Sequence, residues 1–236
     1  MTSEASDARK LATFPGAPLT VVLRDRWLVA SFADPARACS WAIVGGGIVD
    51  VRHVAWLQVC DADLRPPVDP RCLLRARLRT AGLRDAVGLL TSRDVAMYTD
   101  STAEDAGVTA RCLATVGLGN ALRAGDPPGV AGRIGTINVL VHVDAPLSDE
   151  ALLEANAIAT EAKCAAVLER GVRSRQSGRL ATGTGTDCTV VACTRGLRTG
   201  AASYAGKHTV IGSVVGRAVE SAVGEGVHRW LAEVAR

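Results

Sequence analysis

The chain has 236 residues, of which 48% are hydrophobic, 22% charged and only 3% aromatic, with a formal net charge of +3. That balance belongs to a globular protein with a sizeable core of Val, Leu, Ile and Ala. It argues against a nucleic-acid partner, because no Lys/Arg block stands out and aromatic stacking platforms are scarce.

No apolar run reaches the roughly 18 to 20 residues of a membrane helix. The polar stretch 1–10 lacks the apolar region of a secretory signal, so a cytoplasmic location with no membrane partner is expected. The seven cysteines (39, 60, 72, 112, 164, 188, 193) form no CxxC pair and read as reduced, mostly buried small side chains.

Residues 1–13 read as a mobile tail and 14–236 as one domain without repeats or linkers. The stretch 19–32 predicts a hairpin about the polar turn Arg24-Asp25-Arg26. Strand-like segments follow at 40–44 and 49–59, joined by Gly45-Gly46-Gly47, where glycine accepts positive φ. A proline-rich loop, 61–70, leads into a helix over 69–81, with Leu73, Leu74, Ala76, Leu78 and Ala81 at near-helical spacing and Gly82 closing it.

Strands are predicted at 87–91, 95–102 and 108–116, the last two antiparallel by proximity. A loop at 120–132 precedes a buried-type strand, 135–144. Ser148 caps a helix running to residue 171, with Asp149 and Glu150 in the favourable first turn. A loop at 174–186 feeds a strand, 187–194, and a helix over 207–235 ends the chain. Strands that come in runs as well as between helices predict an α+β fold, a mixed, largely antiparallel sheet layered with helices and closed by a long C-terminal helix.

Chemistry concentrates where strands end. In Ala181-Thr-Gly-Thr-Gly-Thr-Asp187 the glycines let backbone approach a ligand, while Thr182, Thr184 and Thr186 offer hydroxyls and Asp187 a carboxylate. The bland alternative is a polar turn that satisfies its own backbone. The segment is not a P-loop, since it lacks the Gly-Lys-Ser/Thr ending and precedes a strand.

Lysine occurs only at 10, 163 and 207 in an arginine-rich chain, and only a lysine ammonium can be neutral near pH 7. Lys207 and His208 fall at the predicted start of the last helix, where the dipole opposes cations and favours a neutral imidazole, unless 208 simply precedes the helix and is exposed. In the long helix, Glu150, Glu154 and Glu161 lie within about 40° of one another and read as a solvated face. Asn156, Thr160 and Lys163 share another stripe, where the lysine either snorkels to water or faces the site.

His53, His142 and His228 share no ligand spacing, and HExxH is absent, so neither a metal nor a cofactor is expected. His142, on an apolar strand, reads as a core residue. GxSxG is absent as well, which excludes a nucleophile elbow by motif.

The ordered set SWAIVGGGI (40–48), TVGLGNA (115–121), GTINVLV (135–141), ATEAK (159–163), ATGTGTD (181–187) and YAGKHTVIG (204–212) resembles the adenosylcobinamide amidohydrolase family over about residues 20 to 230. The resemblance implies a corrinoid substrate and hydrolysis of the amide between a corrin propionyl side chain and aminopropanol. The products would be adenosylcobyric acid and 1-amino-2-propanol. It carries no catalytic assignment.

Amide hydrolysis needs a nucleophile or activated water, oxyanion donors and an acid for the leaving amine. His208 or Asp187 could activate water, Lys163 or Lys207 could protonate the amine, and Thr184 or Thr186 could be a nucleophile paired with a lysine. Asn120, Asn138, Thr182, Gly183, Gly185, Tyr204 and Glu161 are candidates for substrate contact. A carrier that binds corrinoid or nucleotide without chemistry is the rival reading.

Overall fold

The computed structural model describes residues 9–11, 19–128, 135–196 and 200–235. Most of the tail expected at 1–13 and part of the loop expected at 120–132 therefore lie outside the described residues. Within the tail segment, Arg9–Leu11 forms β1, which pairs antiparallel with β2 (Leu19–Arg24).

The hairpin partner of β2 is β3 (Trp27–Ser40), across a turn in which Asp25 takes φ of 52°. β4 (Gly47–Gln58) returns along β3 after Gly45, whose φ of 70° favours glycine and whose Cβ position would meet the Ala86 carbonyl at 2.8 Å. α1 (Pro70–Thr80) starts under an Asp69 cap that accepts from the Cys72 N–H, with proline at its first position. β5 (Val87–Thr91) then pairs parallel with β4. Residues 95–97, predicted as strand, instead make a 3-10 turn capped by Asp94, and β6 (Thr99–Asp105) begins after it.

β6 turns back into β7 (Val108–Val116), the short β8 (Ala121–Leu122) follows, and β9 (Ile137–Val143) lies antiparallel to β7. α2 (Asp149–Glu169) is capped by Ser148, whose hydroxyl accepts from the Ala151 N–H. β10 (Gly183–Thr184) pairs with β8, and β11 (Cys188–Cys193) runs parallel to β9 and antiparallel to β3. α3 (Val210–Val234) closes the fold. The class is the α+β one predicted, mixed because β4/β5 and β9/β11 are parallel pairs among antiparallel ones.

Strand alternation sorts the core into layers. Val139, Val141 and Val191 point one way and pack on Ala155 of α2 and Val215 and Ala218 of α3. Leu113, Leu140 and Val190 point the other way, onto Val21, Ala30, Trp56 and Leu89 of the second half of the sheet. Ala55 and Leu57, on the outer side of β4, pack on Leu74 and Leu78 of α1. The stack is thus helices, sheet, sheet, helix.

β3 joins the two sheet halves. Its first part pairs with β2, its last part with β11, and its pairing with β4 shifts register between Ser31 and Ala36. His142 lies inside this stack, its ring 5.3 Å from that of Phe32, and burial pushes its pKa down to about 4. Among the described residues, no helix is long and apolar enough to cross a membrane.

Candidate active site

Because β9 and β11 run parallel with Cys188 opposite Asn138, the residues just before both strands meet at one end of the sheet. Asp187 is the last residue before β11, and its carboxylate lies against the first amide of β9. Oδ1 accepts from the Ile137 N–H at 2.9 Å and from the Thr184 hydroxyl at 2.5 Å. Oδ2 accepts from the Thr184 N–H at 3.0 Å and from Lys163 Nζ at 2.5 Å. A carboxylate offers about four lone-pair sites, so these four donors fill it.

The buried face of α2 delivers Lys163. Leu152, Ala155, Asn156, Ala159, Lys163 and Ala166 recur at helical spacing and all face inward. The sequence left Lys163 between solvent and site, and the structure buries it against Asp187. The loop around the ion pair needs Gly183, since a Cβ there would stand 2.1 Å from Asp187 Oδ2 and 2.7 Å from Lys163 Nζ.

The rest of the Thr/Gly loop anchors this turn. Thr182 donates its N–H to the Leu122 carbonyl, accepts from the Ala124 N–H on its hydroxyl, and takes the Cys164 thiol on its carbonyl. Thr186 donates its hydroxyl to the Gly135 carbonyl at 2.9 Å and accepts on its own carbonyl from Thr136 at 2.8 Å. Gly185 is exposed, with Leu122 beneath it. The Asn120 side chain lies against Gly135, its Oδ1 buried and without a hydrogen-bond partner among the described residues.

A cavity of about 310 Å³ opens beside the carboxylate. Thr136, Asn138, Thr186 and Asp187 form its polar end, and Trp41, Ile43, Val59, Leu64, Leu89 and Leu90 line the remainder. Asn138 is fixed by donating to the Leu90 carbonyl at 2.7 Å. Trp41 donates its indole N–H to the Asp187 carbonyl at 2.7 Å. Cys188 also lines the cavity, but burial pushes its thiol up to about 12, which keeps it from being a thiolate nucleophile at neutral pH.

His208, Lys207, Tyr204 and Glu161 are gathered elsewhere. They line a groove of about 570 Å³ with Glu154 and Thr209, and no residue lines both this groove and the cavity at Asp187. Glu161 pairs with Lys207, and Glu154 accepts from the Ala205 N–H at 2.7 Å. The last helix starts three residues later than the sequence suggested. Thr209 caps it by accepting from the Gly212 N–H, so Lys207 and His208 precede the helix and are exposed. The solvated-face reading of Glu154 and Glu161 holds for Glu161 and is modified for Glu154, half-buried and bonded to the loop.

Two residues at the cavity were not singled out from the sequence. Thr136 lies inside the GTINVLV stretch, two residues before Asn138. Trp41 stood inside SWAIVGGGI; one of four tryptophans in an aromatic-poor chain, beside a triple-glycine turn, it carried a signal that composition alone could have raised.

Comparison with known proteins adds to this geometry. The family described as adenosylcobinamide amidohydrolase matches residues 16–235. An uncharacterised protein of Methanocaldococcus jannaschii is 40% identical over 92 residues, which cover 39% of this chain and 35% of that protein. The chain thus spans about a third of the length of this curated relative.

Among solved structures, a Pyrococcus horikoshii protein is 12% identical, covers 94% of this chain and 83% of its own, and has a TM-score of 0.47. A beta-aminopeptidase of a Burkholderia species is 16% identical with coverage of 89% and 79% and a TM-score of 0.44. The L-aminopeptidase D-Ala-esterase/amidase of Ochrobactrum anthropi is 13% identical with coverage of 94% and 82% and a TM-score of 0.42.

Proposed function

The chain belongs to the adenosylcobinamide amidohydrolase family, and from that premise we propose that it hydrolyses the amide joining the corrin propionyl arm of adenosylcobinamide to aminopropanol, giving adenosylcobyric acid and 1-amino-2-propanol. The observation that carries the reading is the saturated Asp187 carboxylate between Thr184 and Lys163. With its four acceptor sites filled, the carboxylate has no lone pair left for a water molecule. The hydroxyl proton within its reach is the one Thr184 already donates at 2.5 Å.

The roles follow. Thr184 Oγ1 attacks the amide carbon as its proton passes to Asp187, whose charge Lys163 balances. Collapse of the tetrahedral adduct breaks the C–N bond, and the amine leaves with the proton held by Asp187. Water then hydrolyses the Thr184 ester, releasing the carboxylic acid and restoring the hydroxyl. The Thr186 N–H, 3.4 Å from Thr184 Oγ1, helps hold the nucleophile. His208 and Lys207 have no part in these steps.

The test is a single-turnover reaction of purified protein with adenosylcobinamide, followed by mass spectrometry of the corrinoids and of the peptide bearing Thr184. Thr184→Ala should lower turnover by about 10² to 10⁴-fold, the size of a lost nucleophile–base step, with substrate binding retained. Turnover within tenfold of the parent chain would remove Thr184 from the chemistry. Bound corrinoid that is never cleaved by the parent chain would establish the carrier instead.

A further inference from the structure

The cavity beside Asp187 is too small for the substrate whose amide it is proposed to cut. Pockets of roughly 300–1,000 Å³ enclose drug-sized ligands, and this one, at about 310 Å³, is at the lower limit. An adenosylated corrinoid is much larger than a drug-sized ligand, whereas its aminopropanol arm is a short, uncharged chain. The lining suits such an arm. It is mostly apolar, and among the described residues it includes no Arg, Lys or His; Asp187, its one acid, is already neutralised by Lys163.

The macrocycle must then stay at the mouth, where two large apolar side chains stand open to solvent. Trp41 is 52% exposed and Ile43 39%. Both also line the cavity, so their exposed faces border its opening. The tryptophan is also held in place, because its indole N–H donates to the Asp187 carbonyl at 2.7 Å, so the ring cannot turn away without giving up that bond. One residue therefore links the rim to the backbone of the residue that carries the site's carboxylate.

We propose that Trp41, backed by Ile43, is the platform on which the corrin face of the substrate stacks, while the amide arm enters the cavity towards Asp187. Its aromatic face supplies contact area at low entropic cost, and its bond to Asp187 fixes the distance between macrocycle and carboxylate. Affinity for the whole corrinoid resides largely at the rim, and the cavity selects the arm.

The placement rests on the proposed reaction, and binding separates the two. Affinity of the full chain for adenosylcobinamide would be measured by calorimetry alongside turnover, for the parent, Trp41→Leu, Trp41→Phe and Ile43→Ser, with thermal unfolding as the control for folding. Loss of one stacked aromatic predicts at least about fivefold weaker binding for Trp41→Leu. Trp41→Phe, which keeps a face, should stay within about twofold to threefold, and Ile43→Ser should fall between.

Equal affinity in the parent, Trp41→Leu and Ile43→Ser would overturn the platform. So would a parent chain that does not bind the corrinoid. Corrinoid that is bound with the expected ranking but never cleaved would support the platform and remove the amidohydrolase reading. Should Trp41→Leu unfold, the Ile43→Ser and Trp41→Phe affinities decide by themselves.

Discussion

Two lysine–carboxylate pairs each have one member on α2, Lys163 and Glu161, two residues apart, and they could hardly differ more. Lys163 and Asp187 are each 8% exposed in their side chains, whereas Lys207 and Glu161 are 69% and 57% exposed. The first pair lies between α2 and the ends of β9 and β11, and its carboxylate has every acceptor site used. The second lies across an open groove in water. An exposed pair of this kind contributes about 0 to 1 kcal/mol, while a buried pair is costly to make and costlier to break by halves. Burial of Lys163 and Asp187 places fixed charge out of bulk water, the setting that the proposed amide cleavage would use.

The sharpest way to break the contrast is Asp187→Ala. It leaves the Lys163 ammonium buried without a partner, so unfolding free energy should fall by about 3 to 5 kcal/mol, and turnover of adenosylcobinamide should vanish. The double variant Lys163→Met/Asp187→Leu, which removes both charges, should regain much of the stability with turnover still absent. Chemical denaturation of the three proteins reads the first effect and corrinoid analysis the second. If Asp187→Ala is as stable as the parent, or if the double variant still cleaves substrate, the pair is not the site.

A second test turns to a histidine buried between the sheet halves. Burial holds the pKa of His142 at about 4 in the fold, against about 6.5 in an unfolded chain. As pH falls, the unfolded chain binds this proton first. The stability is therefore intact above about pH 6.5 and is lost as pH drops towards 4, by about 3 kcal/mol in full. Unfolding free energies from urea titrations at pH 7 and pH 4 should differ less for His142→Phe than for the parent, by about that amount. A His142→Phe protein with the parental slope would mean the ring is charged inside the core.

Much of this contrast was legible in the sequence, and the remainder was not for identifiable reasons. Helical periodicity separated the Glu161 stripe from the Lys163 stripe, and capping chemistry at Ser148 fixed where the helix begins. What periodicity cannot say is which stripe meets the sheet, since that depends on how α2 packs on β11 and α3. The Thr/Gly loop was visible as a ligand-type segment. Its anchoring was not, because β8 and β10 are two-residue strands whose pairing is non-local and leaves no local pattern.

The start of α3 shows the opposite failure. The residues that decide it, Thr209 as cap and Gly212 as first donor, were in plain view. Lys207 and His208 drew the helix boundary too early, and with it the dipole argument for a neutral histidine.

The smallest expected effect tests the exposed pair directly. Lys207→Ala should cost less than about 1 kcal/mol of stability, because the pair is solvated and screened by salt, and adenosylcobinamide turnover should remain within about threefold of the parent if the groove at His208 is outside the chemistry. His208→Ala should behave alike. The direction of any deviation matters. A higher KM with unchanged kcat would make the groove a contact for a distant part of the corrinoid, since such a loss is of binding shared by ground and transition states. A fall in kcat beyond about a hundredfold would reverse the whole comparison: the proton transfers would then belong to His208 and Lys207, and the buried Lys163–Asp187 pair would be the anchor of a loop rather than the centre of the reaction.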